Sequence, residues 1–148
     1  MQNSKPNGWQ GSTPATPTDG KPEPILERSF RFAVEIVKLG VQLERHGNVG
    51  RVLASQLLRA GTAIGSQVEE AQAAESKADF VSKLAVGLKE AREAHYRLRV
   101  LVAAGIFAGP AIERLSNEAD ELKRILAKII VNTKRGHAGS PELRTWAR

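Results

Sequence analysis

Side chains that commonly carry catalysis are sparse in this sequence. There is no cysteine, which excludes disulfides and thiolate metal sites, and there are only three histidines. His46 and His137 fall in polar segments, whereas His95 falls on an apolar helical stripe. No metal ligand stands three or four residues from His95, so we interpret it as a core or subunit-contact histidine rather than a metal ligand.

Carboxylates are more frequent, but their pattern favours surface ion pairs. Glu118 and Glu121 have the spacing of half a di-metal site, yet no Glu-x-x-His pair completes it. Most acidic residues have a basic neighbour three or four residues away, as Glu93 has Lys89 and Arg97. No Gly-Lys-Ser/Thr phosphate loop is present. The sequence therefore predicts a protein that is not an enzyme and has neither a metal site nor a cofactor.

Positive charge is the chemical feature that recurs. The formal net charge is +6 and the isoelectric point is about 10.0, which is typical of proteins that bind nucleic acid, although a generally basic surface is the alternative. Outward-pointing lysine and arginine side chains can neutralise phosphates and release counterions. Five candidate phosphate contacts follow from this reasoning: Arg59, Lys83, Lys89, Arg92 and Arg97. Tyr96 is the one aromatic residue near them, so we expect backbone or shape recognition rather than base stacking.

Apolar periodicity predicts four helices that position these residues, and hence an all-α fold. The first, residues 27–45, carries two adjacent apolar stripes and requires cover on two sides. One stripe is Phe30, Val34, Val37 and Val41, and the other is Phe32, Ile36, Leu39 and Leu43. The second helix begins near Val49 and contains Gly61 and Gly65, which indicate either a close helix approach or a local bend.

The third and fourth helices have clearer ends. Ser76 and Asp79 resemble a capping pair at the start of the third helix, and Gly105 ends it. Its predicted buried stripe is Phe80, Leu84, Leu88, Ala91, His95, Leu98 and Val102. The fourth helix starts at Pro110 and runs to about residue 133, with apolar residues in a three-four alternation that suits bundle packing.

The folded domain therefore covers residues 25–133. Residues 1–24 are rich in proline and glycine and are predicted to be a disordered tail. Residues 134–148 form a basic C-terminal tail. No segment reaches the roughly 18 apolar residues of a membrane-spanning helix, and no secretory signal is recognisable, so we expect a cytoplasmic protein.

The first and third predicted helices have more apolar surface than one bundle core requires. The third adds Val81, Ala85, Val86 and Val100 beside its main stripe. Large exposed apolar patches are rare on monomers, so this surplus predicts a homo-oligomer.

Three segments resemble a known family. Residues 57–70 read LLRAGTAIGSQVEE, residues 76–84 read SKADFVSKL, and residues 88–93 read LKEARE. In this order they are similar to the bacterial four-helix-bundle proteins encoded in 23S rRNA intervening sequences. The resemblance spans about residues 29–133. In the family pattern an asparagine often occupies the position of Gln67, and a glycine often occupies that of Ala71.

The resemblance implies an antiparallel up-and-down four-helix bundle assembled as a ring, typically a homopentamer. The family also includes accessory variability proteins of diversity-generating retroelements, which bind a reverse transcriptase and nucleic acid. The leading hypothesis is therefore an oligomer that binds structured RNA or an RNA/DNA hybrid. The alternatives are a protein-interaction scaffold for a retroelement reverse transcriptase and a purely structural oligomer.

Overall fold

The computed structural model describes residues 23–136, and these form an all-helical domain, as predicted. Four long helices follow one another: α1 (Ile25–Leu43), α2 (Gly47–Gln72), α3 (Lys77–Ala103) and α4 (Pro110–Lys134). A single 3₁₀ turn, Glu44–His46, joins α1 to α2. Most of the two predicted tails lies outside the described residues. Within residues 23–136 no helix combines the length and the hydropathy needed to span a bilayer.

Helices that are consecutive in the chain pack side by side and run in opposite directions. As residue numbers increase along α1, the residue numbers they contact on α2 decrease: Ile36 lies against Gly61, and Gly40 lies against Leu58. The same order holds between α2 and α3. An ion pair between Arg28 of α1 and Glu118 of α4, with nitrogen–oxygen distances of 2.8 and 2.9 Å, joins the first helix to the last. The result is an up-and-down bundle.

The core is aliphatic and draws on all four helices. On α1, the stripe that contains Phe32 and Ile36 is buried, as expected for a helix that packs on α2 and α4. Within residues 23–136 the other α1 stripe has no comparable cover. Its members Phe30, Val37 and Val41 are 65%, 45% and 58% exposed. The described residues therefore bury one of the two predicted stripes and leave most of the other at the surface.

Gly61 and Gly65 in the middle of α2 allow α1 to approach closely. A Cβ atom placed on Gly61 would lie 2.8 Å from Cγ2 of Ile36, closer than carbon atoms tolerate. One placed on Gly65 would lie 3.4 Å from the backbone oxygen of Ser29. Helix α2 runs unbroken from Gly47 to Gln72. Of the two predicted roles for these glycines, close helix approach and a local bend, the structure therefore favours close approach.

Both predicted ends of α3 are confirmed. The Ser76 hydroxyl accepts a hydrogen bond from the backbone N–H of Asp79 at 3.0 Å, which satisfies one unpaired donor of the first turn. At the other end Gly105 takes a φ of 70°. The Gly105 N–H bonds to the carbonyl of Val102, and the next N–H bonds to that of Leu101, both at 3.1 Å. This pair of bonds is a Schellman motif.

The predicted buried stripe of α3 was wrong at three positions. Leu88 and His95 are half-buried, and Val102 is 39% exposed. The residues that are buried are Phe80, Leu84, Gly87, Ala91, Ala94, Leu98 and Leu101. The reason is that α3 lies between α2 and α4 and turns a face with Gly87 toward α2, where a Cβ would lie 3.4 Å from Cβ of Gln67.

Candidate nucleic-acid interface

Two of the five predicted phosphate contacts are joined by one carboxylate between α2 and α3. Oε1 of Glu93 lies 2.7 Å from Nη2 of Arg97 and 3.2 Å from Nη2 of Arg59. Arg97 also donates to the side-chain oxygen of Gln56 on α2. The hydrogen bond from Arg97 lowers the pKa of Glu93 below its ordinary value, so the carboxylate stays charged at neutral pH.

These bonds divide the two arginines by role. The Arg97 side chain is only 22% exposed, and it connects α3 to α2. The Arg59 side chain is 68% exposed, so most of it faces solvent although it contacts Glu93. Arg97 was expected to point outward and does not. Arg59 does.

Lys83 is held at the start of α3. Its Nζ lies 3.2 Å from Oδ1 of Asp79, and its side chain is 30% exposed. The pKa of Asp79 is lowered first by the hydrogen bond it accepts from the backbone N–H of Glu75 and then by Lys83. The ammonium of Lys83 therefore serves mainly as the partner of a capping carboxylate.

Lys89 and Arg92 are the remaining two predicted contacts, and both are exposed. Neither forms an ion pair within residues 23–136, although Lys89 lies near enough to Glu93 to help lower the pKa of that carboxyl. Tyr96, which is 62% exposed, and Arg99 continue the same face of α3. Spacings of three, four and three residues place all four side chains on one outward line. We call Lys89, Arg92, Tyr96 and Arg99 the α3 ridge.

The five predicted phosphate contacts fall into three groups in the structure. The chain brings Lys89 and Arg92 together on the α3 ridge, gathers Arg59 and Arg97 around Glu93, and leaves Lys83 at the start of the helix. Arg99 was not among the five selected residues, although its spacing from Arg92 is a signal that could have included it. With three cations spread over about 15 Å of helix, the ridge can follow a phosphate backbone.

His95 lies next to the α3 ridge, on the flank of α3 that contacts α4. Its Nδ1 is 3.0 Å from Nζ of Lys123, which also lies 2.9 Å from Oδ1 of Asp120. Burial and then the Lys123 charge lower the pKa of His95, so the neutral ring accepts a hydrogen bond from the ammonium. His95 thereby connects two helices. In the described part of the chain, no three histidine or carboxylate side chains meet where they could hold a metal ion.

Comparisons with known proteins identify the family. The family model described as "23S rRNA-intervening sequence protein" matches residues 23–128. No curated protein matches the chain. Among solved structures, a Bacteroides thetaiotaomicron protein of unknown function from the S23 ribosomal protein family is 36% identical, with a TM-score of 0.66. The match covers 72% of this chain and 97% of that one. This chain therefore belongs to the family of 23S rRNA-intervening sequence proteins.

Proposed function

We propose that the protein is a non-enzymatic, oligomeric bundle that binds structured RNA or an RNA/DNA hybrid through the α3 ridge. The observation that carries the proposal is the ridge itself, in which Lys89, Arg92 and Arg99 are exposed and form no ion pair within residues 23–136. A phosphate that meets these side chains does not have to break an existing internal ion pair. The arrangement favours contact with the nucleic-acid backbone over readout of base edges.

The other predicted contacts support the ridge rather than replace it. Arg59 adds an exposed cation beside Glu93 on the α2 side. Arg97 fixes α3 against α2, and Lys83 stabilises the start of α3. A rigid helix holds the ridge cations at constant spacing. Such a surface is suited to the regular backbone of a paired nucleic acid.

Self-association is the second part of the proposal. The exposed α1 stripe of Phe30, Val37 and Val41, with Val34 half-buried beside them, offers apolar surface that a second copy of the chain can cover. A ring of such copies, a pentamer by family resemblance, presents one α3 ridge per subunit. Several ridges on one particle raise the affinity for a long polyanion without any new contact.

The test is an RNA-binding titration with variants of matched charge. The ridge triple variant Lys89→Gln/Arg92→Gln/Arg99→Gln and the control Lys77→Gln/Lys128→Gln/Lys134→Gln each remove three cations. The control residues are exposed and lie near the start of α3 or the end of α4. Binding of a fluorescein-labelled RNA hairpin is measured at 50, 100 and 200 mM salt.

We expect the ridge variant to weaken binding at least tenfold and to reduce the slope of log K against log salt by about 2–3, roughly one for each lost phosphate contact. The control is expected to change both quantities by much less. Equal losses in the two variants would mean that binding follows overall charge, and an unchanged slope in the ridge variant would remove the ridge from the interface.

The exposed α1 stripe also favours a second candidate, a scaffold that binds a protein such as a retroelement reverse transcriptase. The two uses of the stripe are separable by Phe30→Glu, which places a charge at a 65% exposed position. If light scattering shows that the variant dissociates, the stripe joins copies of this chain. If the particle keeps its size, the stripe is open to another protein, and the scaffold becomes the better hypothesis.

A further inference from the structure

A groove separates α1 from α4, and its far end borders the exposed α1 stripe at Val41. It has a volume of about 550 Å³, and its walls include Arg28 and Phe32 of α1 and Ile112 and Leu115 of α4. The pair formed by Arg28 and Glu118 lies within it. A second hollow of about 490 Å³ shares Lys38 and Phe107 with the first and continues toward the turn after α1. Together we call them the α1–α4 groove. Volumes of this size are typical of ligand sites.

One edge of the groove carries a spaced row of cations. Arg31, Lys38 and Arg45 recur at seven-residue intervals, which places the first two about 10 Å apart along the helix. Arg114 stands on the opposite wall. Arg45 and Arg114 are exposed and form no ion pair within residues 23–136. The Lys38 side chain is 60% exposed even though it contacts Glu35.

The same groove contains an aromatic pair. Phe107, from the segment between α3 and α4, lies with its ring centroid 5.4 Å from that of His46, and the two ring planes are inclined by 59°. Phe107 is half-buried, and both rings line the hollow next to Lys38 and Arg45. Residues 45 and 46 are about sixty positions from residue 107, so only the fold brings these cations and rings together.

A cationic groove with aromatic rings beside it is the combination that holds single-stranded nucleic acid. The cations follow the sugar-phosphate backbone, while an unpaired base stacks on a ring. In a duplex the bases are paired and stacked on one another, so none is free to enter a concave site. The carboxylates of Glu35 and Glu118, which line the same groove, disfavour a tight site for a small free anion. Their ion pairs are partly exposed to solvent, and a phosphate can compete for the cations.

We propose that the α1–α4 groove binds a single-stranded segment of nucleic acid, with phosphates along Lys38, Arg45 and Arg114 and one base against Phe107. This inference deepens the proposed function, since it gives the RNA-binding bundle a second contact that differs in kind from the α3 ridge. In this proposal the ridge contacts a base-paired region of the RNA, and the groove binds an unpaired strand that extends from that region. It also stands apart from the ridge, because the two surfaces share no residue.

The test compares two probes on the full chain. One is a fluorescein-labelled twelve-nucleotide oligouridine, and the other is the RNA hairpin used for the ridge. The groove variants are Lys38→Gln/Arg114→Gln, which removes two exposed cations, and Phe107→Leu, which removes the ring but keeps an apolar side chain. Lys128→Gln/Lys134→Gln is the control of equal charge. Circular dichroism and light scattering verify that each variant keeps its helix content and its particle size.

We expect the double groove variant to weaken oligouridine binding about tenfold and Phe107→Leu to weaken it about fivefold or more, while hairpin binding changes less than twofold. The proposal is overturned if oligouridine binding is unchanged in the double variant, or if the control weakens it equally. It is also overturned if a polyglutamate peptide competes with oligouridine and Phe107→Leu has no effect, because the groove would then be a site for acidic peptides. A change in particle size in the double variant would make the groove a subunit contact instead.

The ridge triple variant separates this proposal from the proposed function. If it loses the hairpin and keeps oligouridine, while the groove variants lose oligouridine, both proposals stand. If the hairpin is insensitive to the ridge while oligouridine is sensitive to the groove, the ridge proposal fails and the groove proposal survives. Loss of hairpin binding in the ridge variant, together with groove variants that bind oligouridine normally, would leave only the proposed function.

Discussion

Two glycines in the bundle should respond to the same substitution with opposite signs. An alanine at Gly61 would place Cβ 2.8 Å from Cγ2 and 2.9 Å from Cγ1 of Ile36. An alanine at Gly87 would meet nothing closer than Cβ of Gln67, at 3.4 Å. Both positions lie inside long helices, so the intrinsic preference of a helix for alanine over glycine applies equally to each.

The magnitudes decide the signs. Replacing glycine by alanine within a helix stabilises the folded state by about 0.5–1 kcal/mol. Forcing an extra carbon into a filled contact costs about 1–3 kcal/mol, because α1 must move or Ile36 must leave its rotamer. Gly61→Ala should therefore lower the free energy of unfolding by about 1–2 kcal/mol. Gly87→Ala should raise it by up to about 1 kcal/mol.

Urea denaturation followed by circular dichroism measures both effects at one fixed protein concentration, because self-association makes apparent stability depend on concentration. A third variant tests the cause. Ile36→Ala removes the two atoms nearest to the new methyl group and leaves Cβ at 3.1 Å, so Gly61→Ala should cost clearly less stability in that background than in the unchanged protein. If Gly61→Ala stabilises the otherwise unchanged protein as much as Gly87→Ala does, α1 does not lie against α2 as described, and the reasoning is refuted.

Two further predictions concern the ends and the sides of α3. Ser76→Ala should lower the free energy of unfolding by about 1 kcal/mol, because the N–H of Asp79 loses its acceptor. Ser76→Asp restores an acceptor and is the matched control. Equal urea midpoints for Ser76→Ala and the unchanged protein would contradict the cap. The lowered pKa of His95 means that the folded protein binds fewer protons than the unfolded chain, so stability should fall as pH drops below 6.5 and level off below the folded pKa. Urea midpoints between pH 7.5 and 5 measure this loss, and His95→Gln should reduce it; an identical pH dependence in that variant would assign the loss to other groups.

Features set by neighbours in the sequence were the predictable part of the fold. Ser76 and Asp79 are three residues apart, and the Gly105 turn forms with the last turn of α3, so these ends depend on local geometry alone. The apolar periodicity of α1 was equally readable. The sequence did not indicate which of the two α1 stripes is buried, because that depends on where α2 and α4 lie.

The face that α3 buries shows the limit in physical terms. Hydrophobicity favours Leu88 as a core residue, but Gly87 is the buried one, since a glycine lets α2 approach where a leucine would hold it away. Close packing between helices depends on small side chains as much as on apolar ones. A prediction based on the periodicity of large apolar side chains therefore misplaces the buried face of α3, because it leaves out the glycine that faces α2.

The candidate site was predictable as a region and not as a set of free charges. The pairing of Arg97 with Glu93 follows from their spacing of four residues, but its bond to Gln56 spans 41 positions and fixes it as a connection between helices. Lys89 and Arg92 differ from Arg97 in having no such partner within residues 23–136, although all three appear as one cationic row in the sequence. An arginine that is already paired with a half-buried carboxylate has less to gain from a phosphate than one that is solvated by water. The net charge of +6 is therefore a poor measure of how many cations can bind phosphates. The number of phosphates neutralised should instead depend on the cations of the ridge and the groove that form no ion pair within residues 23–136.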